Sequence, residues 1–474
     1  MTADYAGTSK NPLVWRDRIY FLSDRDGTMN IWSMDLKGGG LKQHTFHKGY
    51  DASSPSLDAG RIVYQLVADI RVFDVASGQD AALAVTLPSD FDQMREKWVT
   101  RPLDYLTSGH VSPAGDRIVL VSRGQVFVAP VGDGRWVRIS RKDGVRARAA
   151  RFLGDGKTLM VLTDETGEWE FHRAAADGLG PAEQLTSGAK VIRFDGLPSP
   201  DGKWFAFADK DYQLWLFNVG KKALSRVAVS DIGMFDDLAW SPDGRWLAYV
   251  GGASNGFSQV LLLDTESGKT AELTNDRVDS YNPAWSPDGK WLYFLSDRWF
   301  HSAVGSPWGP RQPEPYFDKT TKIYAVGLTA KEPFPFAPAT ELQGEKKEGG
   351  EKEAKEPEAK TGPAGKPAKE APKPAPAPKV VIDLAGIQDR VFEVPLPAGV
   401  YSGMAVGEKA LFVVDQGSRA AGQPKLQAVE IKNRNVQAKT LLEDVRNFEL
   451  SADGKKILVR KGGDLYVIDA GTAQ

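Results

Sequence analysis

The stretch from Ala239 to Gly252, AWSPDGRWLAYVGG, decides the reading of this chain, because it recurs. AWSPDGKWLYFLSDR begins at Ala284 and LPSPDGKWFAFADKDYQLWLFNVG at Leu197, and the three align almost without gaps. Looser copies are HVSPAGDRIVLVSRGQVFVAPV from His110, FLGDGKTLMVLTDETGEWEFHRA from Phe152 and ELSADGKKILVRKGGDLYVIDAG from Glu449. Segments from Asp17, Ala59 and Gly407 lose the proline but keep the strand that follows. The turn glycines Gly115, Gly156, Gly202, Gly244 and Gly289 recur every 40 to 47 residues, the period of a repeat architecture.

Each repeat has a mechanical reading. In Ser-Pro-Asp-Gly the proline presets φ, the aspartate caps its own backbone and the glycine takes the left-handed position. A strand follows with alternating apolar residues such as Trp246, Ala248 and Val250. A third strand comes next (VLLLD from Val260, LWLFNV from Leu214), and SGKTAELT from Ser267 supplies a turn and a short edge strand. Four antiparallel strands per repeat make a β-propeller blade. A lone blade leaves two partly apolar faces uncovered, and stacking around an axis covers them. The predicted fold is therefore all-β, a β-propeller. Trp204, Trp246 and Trp291 share the position after the turn. They are read as packing between blades, with a stacking platform for a sugar or nucleotide as the alternative.

Nine turn anchors exceed the ~4 to 8 blades of one ring. The charged stretch SDFDQMREKWVTRPLDYL from Ser89 places a boundary near residue 95. Residues 1–95 then hold two blades, and 96–474 a seven-bladed propeller. Residues 343–379, rich in Lys, Glu, Pro and Ala, carry no aromatic or branched aliphatic side chain up to Lys379, so a disordered surface insertion is expected there. Before it, RWFHSAVGSPWGPRQPEPYFDKTTKIYAV from Arg298 reads as a long aromatic loop. Its Trp299, Phe300, Trp308 and Tyr316 are placed to cover an opening or meet a neighbour.

Composition removes several function classes. The net charge of the 474 residues is −2, which argues against nucleic acid as a partner. No cysteine is present, so disulfides, thiolate metal sites and a cysteine nucleophile are excluded. No apolar run approaches the roughly 18 residues of a membrane span. The amino terminus MTADYAGTSKNPLVW shows no basic stretch followed by an apolar run. The cytoplasm is the expected location, with the periplasm open if the chain is a fragment.

No catalytic, cofactor or metal site is predicted. Gly252-Ala253-Ser254-Asn255-Gly256 matches a nucleophile pattern, but a strand follows where a helix is required. Asp24-Arg25-Asp26-Gly27 lacks the further carboxylates of a calcium loop and reads as a turn. Among His44, His47, His110, His172 and His301 no metal motif occurs, and His44 and His47 read as loop histidines facing solvent. The remaining candidates are Arg123, Arg146, Arg148 and Arg151, in and beside predicted strands. Facing a channel, they would attract peptide carboxylates and carbonyls. On the outer surface they would pair with Asp or Glu.

The run RIYFLSDRDGTMNIWSMDLKGGGLKQHT from Arg18, then RIVYQLVADIRVFDV from Arg61, then LTSGHVSPAGDRIVLVSRGQVFVAPV from Leu106, resembles the propeller region of the tricorn proteases. The resemblance continues through YNPAWSPDGKWLYFLSDR from Tyr281 to FELSADGKKILVRKGGDLYVIDA from Phe448. It implies the last blades of a six-bladed propeller followed by a seven-bladed one. It also implies a filter and entry channel for peptides, a serine-protease core outside this sequence, and assembly into oligomers. A standalone TolB-like interaction propeller is the competing reading. A prolyl-oligopeptidase arrangement has no room for its hydrolase domain of ~200 residues.

Overall fold

The computed structural model describes residues 5–86, 88, 91, 97–139, 142–304, 315–338, 377–420 and 422–471. Trp308, the proposed boundary near 95 and residues 343–376 of the insertion lie outside them. The chain divides into two compact units, Met1–Trp98 and Val99–Gln474. Among the described residues, every sheet is antiparallel and built from strands consecutive in sequence, and the only helices are two 3-10 turns. No helix among them is long and apolar enough to cross a membrane.

The first unit holds two four-stranded sheets. One runs Ser9–Trp15, Arg18–Ser23, Asn30–Asp35, Lys42–Gln43, the other Ala52–Asp58, Arg61–Leu66, Asp69–Asp74, Asp80–Ala82. Tyr20, Leu22 and Ile31 of one pack on Ile62, Tyr64 and Phe73 of the other. His44 and His47 are not solvent-facing loop residues, as the sequence suggested. His44 packs at a tilt against Tyr20 and Phe73 and bonds Ser33 through Nε2, while His47 Nε2 lies 2.7 Å from the Tyr64 hydroxyl. A polar ring on a blade face is covered once the neighbouring blade stacks on it, which a strand pattern alone does not show.

The second unit holds seven sheets among the described residues. Their first strands are Leu106–Val111, Ala147–Phe152, Leu197–Pro198, Asp236–Trp240, Ser280–Trp285, Tyr401–Val406 and Val445–Leu450. The Ser-Pro-Asp-Gly turn joins the first strand of a sheet to its second. Gly244 sits at φ 71°, and its N–H donates to Ser241 O. The Ser241 hydroxyl donates to Asp243 and accepts the N–H of Trp246, which opens the next strand. Ser199, Ser286 and Ser451 repeat the arrangement with Trp204, Trp291 and Lys456.

Buried apolar clusters join successive sheets. Val119 and Val121 meet Ala150 and Phe152, and Phe171 meets Phe205 and Phe207. Leu214 and Leu216 meet Trp240 and Tyr249, and Trp246 and Leu262 meet Trp285 and Phe294. Trp291 and Tyr293 meet Tyr401 and Val413, and Phe412 and Leu426 meet Ile457 and Val459. Trp246 and Trp291 are buried in these junctions and Trp204 is partly buried in one, so all three pack between sheets.

Candidate functional site: the axial cavity

The first strands of all seven sheets border one cavity of about 2650 Å³. Their backbones carry a recurring irregularity. Pairing with the second strand slips between Asp236 and Ala239, between Tyr281 and Ala284, and between Ser402 and Met404. Asp237, Asn282 and Gly403 sit in these bulges with φ of 49°, 54° and 60°. A bulge turns the extra residue off the ladder. Here its side chain reaches the next sheet: Asp237 accepts the N–H of Asn282 at 2.9 Å, and Asn282 accepts the N–H of Met404. Burial, with Asp236 alongside, raises the Asp237 pKa.

On the opposite arc four charged side chains meet. His110 Nδ1 stands 2.9 Å from Glu449 Oε2, and its Nε2 stands 3.5 Å from Asp195 Oδ2. Arg151 donates to Asp195 at 3.0 Å and lies 3.8 Å from Glu449. Burial alone would lower the His110 pKa, but Glu449 outweighs it, with help from Asp195, and the pKa is raised. Burial would raise Asp195, yet Arg151 and His110 hold it down to about 2. Glu449 is likewise held low against burial, by His110 and then Arg151.

The four arginines fall in different places. Arg148 and Arg151 border the cavity. Arg151 is engaged by Asp195. Arg148 lies over the Phe194 ring at 5.5 Å and makes no ion pair among the described residues. Arg123 is in the turn between Arg117–Ser122 and Gln125–Pro130, at φ 48°, over Tyr105. Arg146 precedes its strand and pairs with Asp164 at 3.1 Å. Neither is among the residues that border the cavity. The sequence reading named His110 only among the histidines and did not single out Asp195 or Glu449, because no local spacing joins residues as far apart as His110 and Glu449, 339 positions.

At one mouth of the cavity lie the Ser-Pro-Asp-Gly turns. Ala377 and Pro378, expected within the disordered insertion, are placed there, and the Val380 N–H donates to Asp243 at 2.8 Å. The described ends of the aromatic loop, up to Val304 and from Pro315, make defined contacts. Trp299 stacks on His301 at 4.2 Å with Lys322 over its ring, and Phe300 meets Phe317 edge-on. Arg419 from the next sheet ties the loop down through Asp318, Thr320 and Asp297. Gly252 ends a strand and Gly256 bonds back to Ala253, so the Gly-x-Ser-x-Gly pattern is a tight inter-strand turn. Asp24 to Gly27 forms a turn as well. Among the described residues no group of three or more His, Asp or Glu is placed to hold a metal ion.

Four-stranded antiparallel sheets, repeated about a shared cavity, define a β-propeller protein. The chain belongs to the tricorn protease family. Residues 106–471 match the tricorn protease second beta propeller domain, and residues 1–79 match the tricorn protease N-terminal beta propeller domain. Tricorn protease homolog 1 of Streptomyces coelicolor is 27% identical over 482 residues, which cover 98% of this chain and 43% of that protein. Tricorn protease of Thermoplasma volcanium is 28% identical over 298 residues, covering 60% of this chain and 28% of that one. The crystal structure of the tricorn protease superposes with a TM-score of 0.64 at 21% identity, over 97% of this chain and 42% of its own. The chain thus spans less than half the length of these relatives.

Proposed function

We propose that this chain is the non-catalytic propeller portion of a tricorn-type serine peptidase. Its axial cavity admits peptides and filters them by size and charge on the way to a protease core outside this sequence. The same reading makes peptides the substrates, the protease core of the same or a neighbouring polypeptide the partner, and the full-length protein a homo-oligomer. One observation carries it: Arg148 borders the cavity with its guanidinium uncommitted to any carboxylate among the described residues. A peptide carboxylate there gains a charge-assisted hydrogen bond. Arg151, by contrast, is spent on Asp195.

The test uses the whole chain and a fluorescent tetrapeptide with a free or an amidated carboxyl terminus. No hydrolysis is expected of either. The free acid should bind about tenfold more tightly than the amide, from the ~1.5–3 kcal/mol of a charged hydrogen bond, and Arg148→Ala should erase the difference. Turnover that survives repurification, or equal binding of acid and amide, would overturn the reading.

A further inference from the structure

We propose that the ring of the second unit is fastened by one proton: His110, charged between Glu449 and Asp195, joins the last sheet to the first, and loss of that proton releases the joint. This goes beyond peptide passage and does not depend on it.

The joint differs from the other junctions. Six junctions between successive sheets are filled by buried apolar clusters. Here, as at every junction among the described residues, no strand of one sheet pairs with a strand of the next, and none of those apolar clusters spans the last and first sheets. In the strand Lys456–Lys461, Ile457 and Val459 point to the preceding sheet's cluster. Alternation turns Lys456, Leu458 and Arg460 the other way. That face puts two cations beside the seam, with Lys456 against Gly115 and Leu465 near Gly109. Two main-chain contacts cross it: Asp453 N–H donates to Pro113 O at 3.0 Å, and Val111 N–H donates to Glu449 at 3.3 Å.

Glu449 therefore reaches across the seam to both the backbone and the imidazole of the first sheet. His110 has a carboxylate at each ring nitrogen, which only the doubly protonated ring satisfies with two donors. The facing charges are Glu449 from the last sheet, Arg151 from the second and Asp195 at the entrance to the third. Lys456, whose ammonium is paired with Asp469 at 2.6 Å, and Arg460 lie on the adjoining strand. With His110 charged, the four central groups balance. Without its proton, the ring turns a lone pair toward one carboxylate, and two anions face one guanidinium. The sign follows. His110 is raised in the folded protein, so its stabilisation is complete below the ordinary histidine range near 6.5 and disappears as pH rises through the raised value.

The experiment is hydrogen exchange of the intact chain between pH 6 and 9.5, corrected for the intrinsic rate. Leu106–Val111 and Val445–Leu450 report on the seam and Trp246–Gly252 is the reference. Protection of the two seam strands should fall at least tenfold across the range while the reference holds. His110→Gln and Glu449→Gln should show the low value already at pH 6, with no further change. Seam protection that is constant with pH, or that falls in step with the reference strand, would overturn the proposal. Should either variant fail to fold, the pH series on the unaltered protein decides alone.

Discussion

The indole N–H of Trp285 donates to the backbone carbonyl of Ala239, 3.0 Å away in the preceding sheet. Trp240 does the same to Leu197 at 2.9 Å, so one such hydrogen bond at each of these two junctions aligns consecutive sheets beside the cavity. Trp285 is 8% exposed, and its partner carbonyl loses a donor that water replaces poorly. Trp285→Phe removes the donor and part of the buried ring. A loss of about 2–3 kcal/mol is expected. Urea unfolding should show a lower midpoint with an unchanged slope, and a change below about 0.5 kcal/mol would mean the contact is incidental.

A buried ion pair fixes the entrance to the third sheet of the second unit. Glu170, 1% exposed, is bonded by Arg193, the Thr186 hydroxyl and the Ala189 N–H. Burial lowers the Arg193 pKa, with Glu170 opposing that shift, and the cation also faces the Phe207 ring. Arg193→Met strands a carboxylate in the protein, at a cost of about 3–5 kcal/mol. Adding Glu170→Gln should restore more than half of the loss, because an amide is cheaper to bury than a charge. If the double variant is no more stable than the single one, packing of the Arg193 stem carries the effect instead.

Turn chemistry made the architecture legible. Ser, Pro, Asp and Gly each leave a local signature, and the alternation after Gly244 or Gly289 marks the second strand directly. The role of the serine was not legible, because accepting the N–H five residues on is a property of the folded turn. The bulges at Asp237 and Asn282 were hidden for a similar reason: a bulge exists only relative to the partner strand. The cluster of His110, Arg151, Asp195 and Glu449 draws on the first, second and last sheets and the entrance to the third, and only ring closure brings it together. The arginines of the VRARAARF run alternate between bulge, strand and loop, so their spacing alone did not separate Arg148 from Arg146.

Gly154 marks a close approach that the repeat pattern does not display. A Cβ there would stand 2.0 Å from Pro200 O, a backbone atom in the turn of the next sheet. The neighbour cannot rotate away as a flexible side chain would. Gly154→Ala should destabilise by about 1–3 kcal/mol through overpacking, despite alanine's lower unfolded-state entropy. Gly202, in an equivalent turn, has open space around it but φ of 69°. Gly202→Ala should therefore cost less, about 1 kcal/mol from the left-handed backbone. Thermal unfolding of the pair in parallel gives the order, and the reverse order would show that the two turns move apart freely.

His44 gives the first unit a dependence on acid. Burial, reinforced by Lys42 and Arg18, pushes its pKa down to about 4. Unfolded, the same ring titrates near 6.5. Between those values the unfolded chain binds the proton and the folded one does not, so stability falls as pH drops from about 6.5 toward 4. The loss reaches roughly 3 kcal/mol at most, at 1.36 kcal/mol per pH unit. Hydrogen exchange of Asn30–Asp35, corrected for the intrinsic rate, should show protection dropping over that interval. His44→Phe keeps the ring against Tyr20 and Phe73 and removes the proton site. It also releases the Ser33 hydroxyl from its 2.7 Å partner, so protection at pH 6.5 should be somewhat lower and the acid slope gone. An acid slope that persists in the variant would assign the effect to other groups of the unit, with His47 next to Asp80 the first to test.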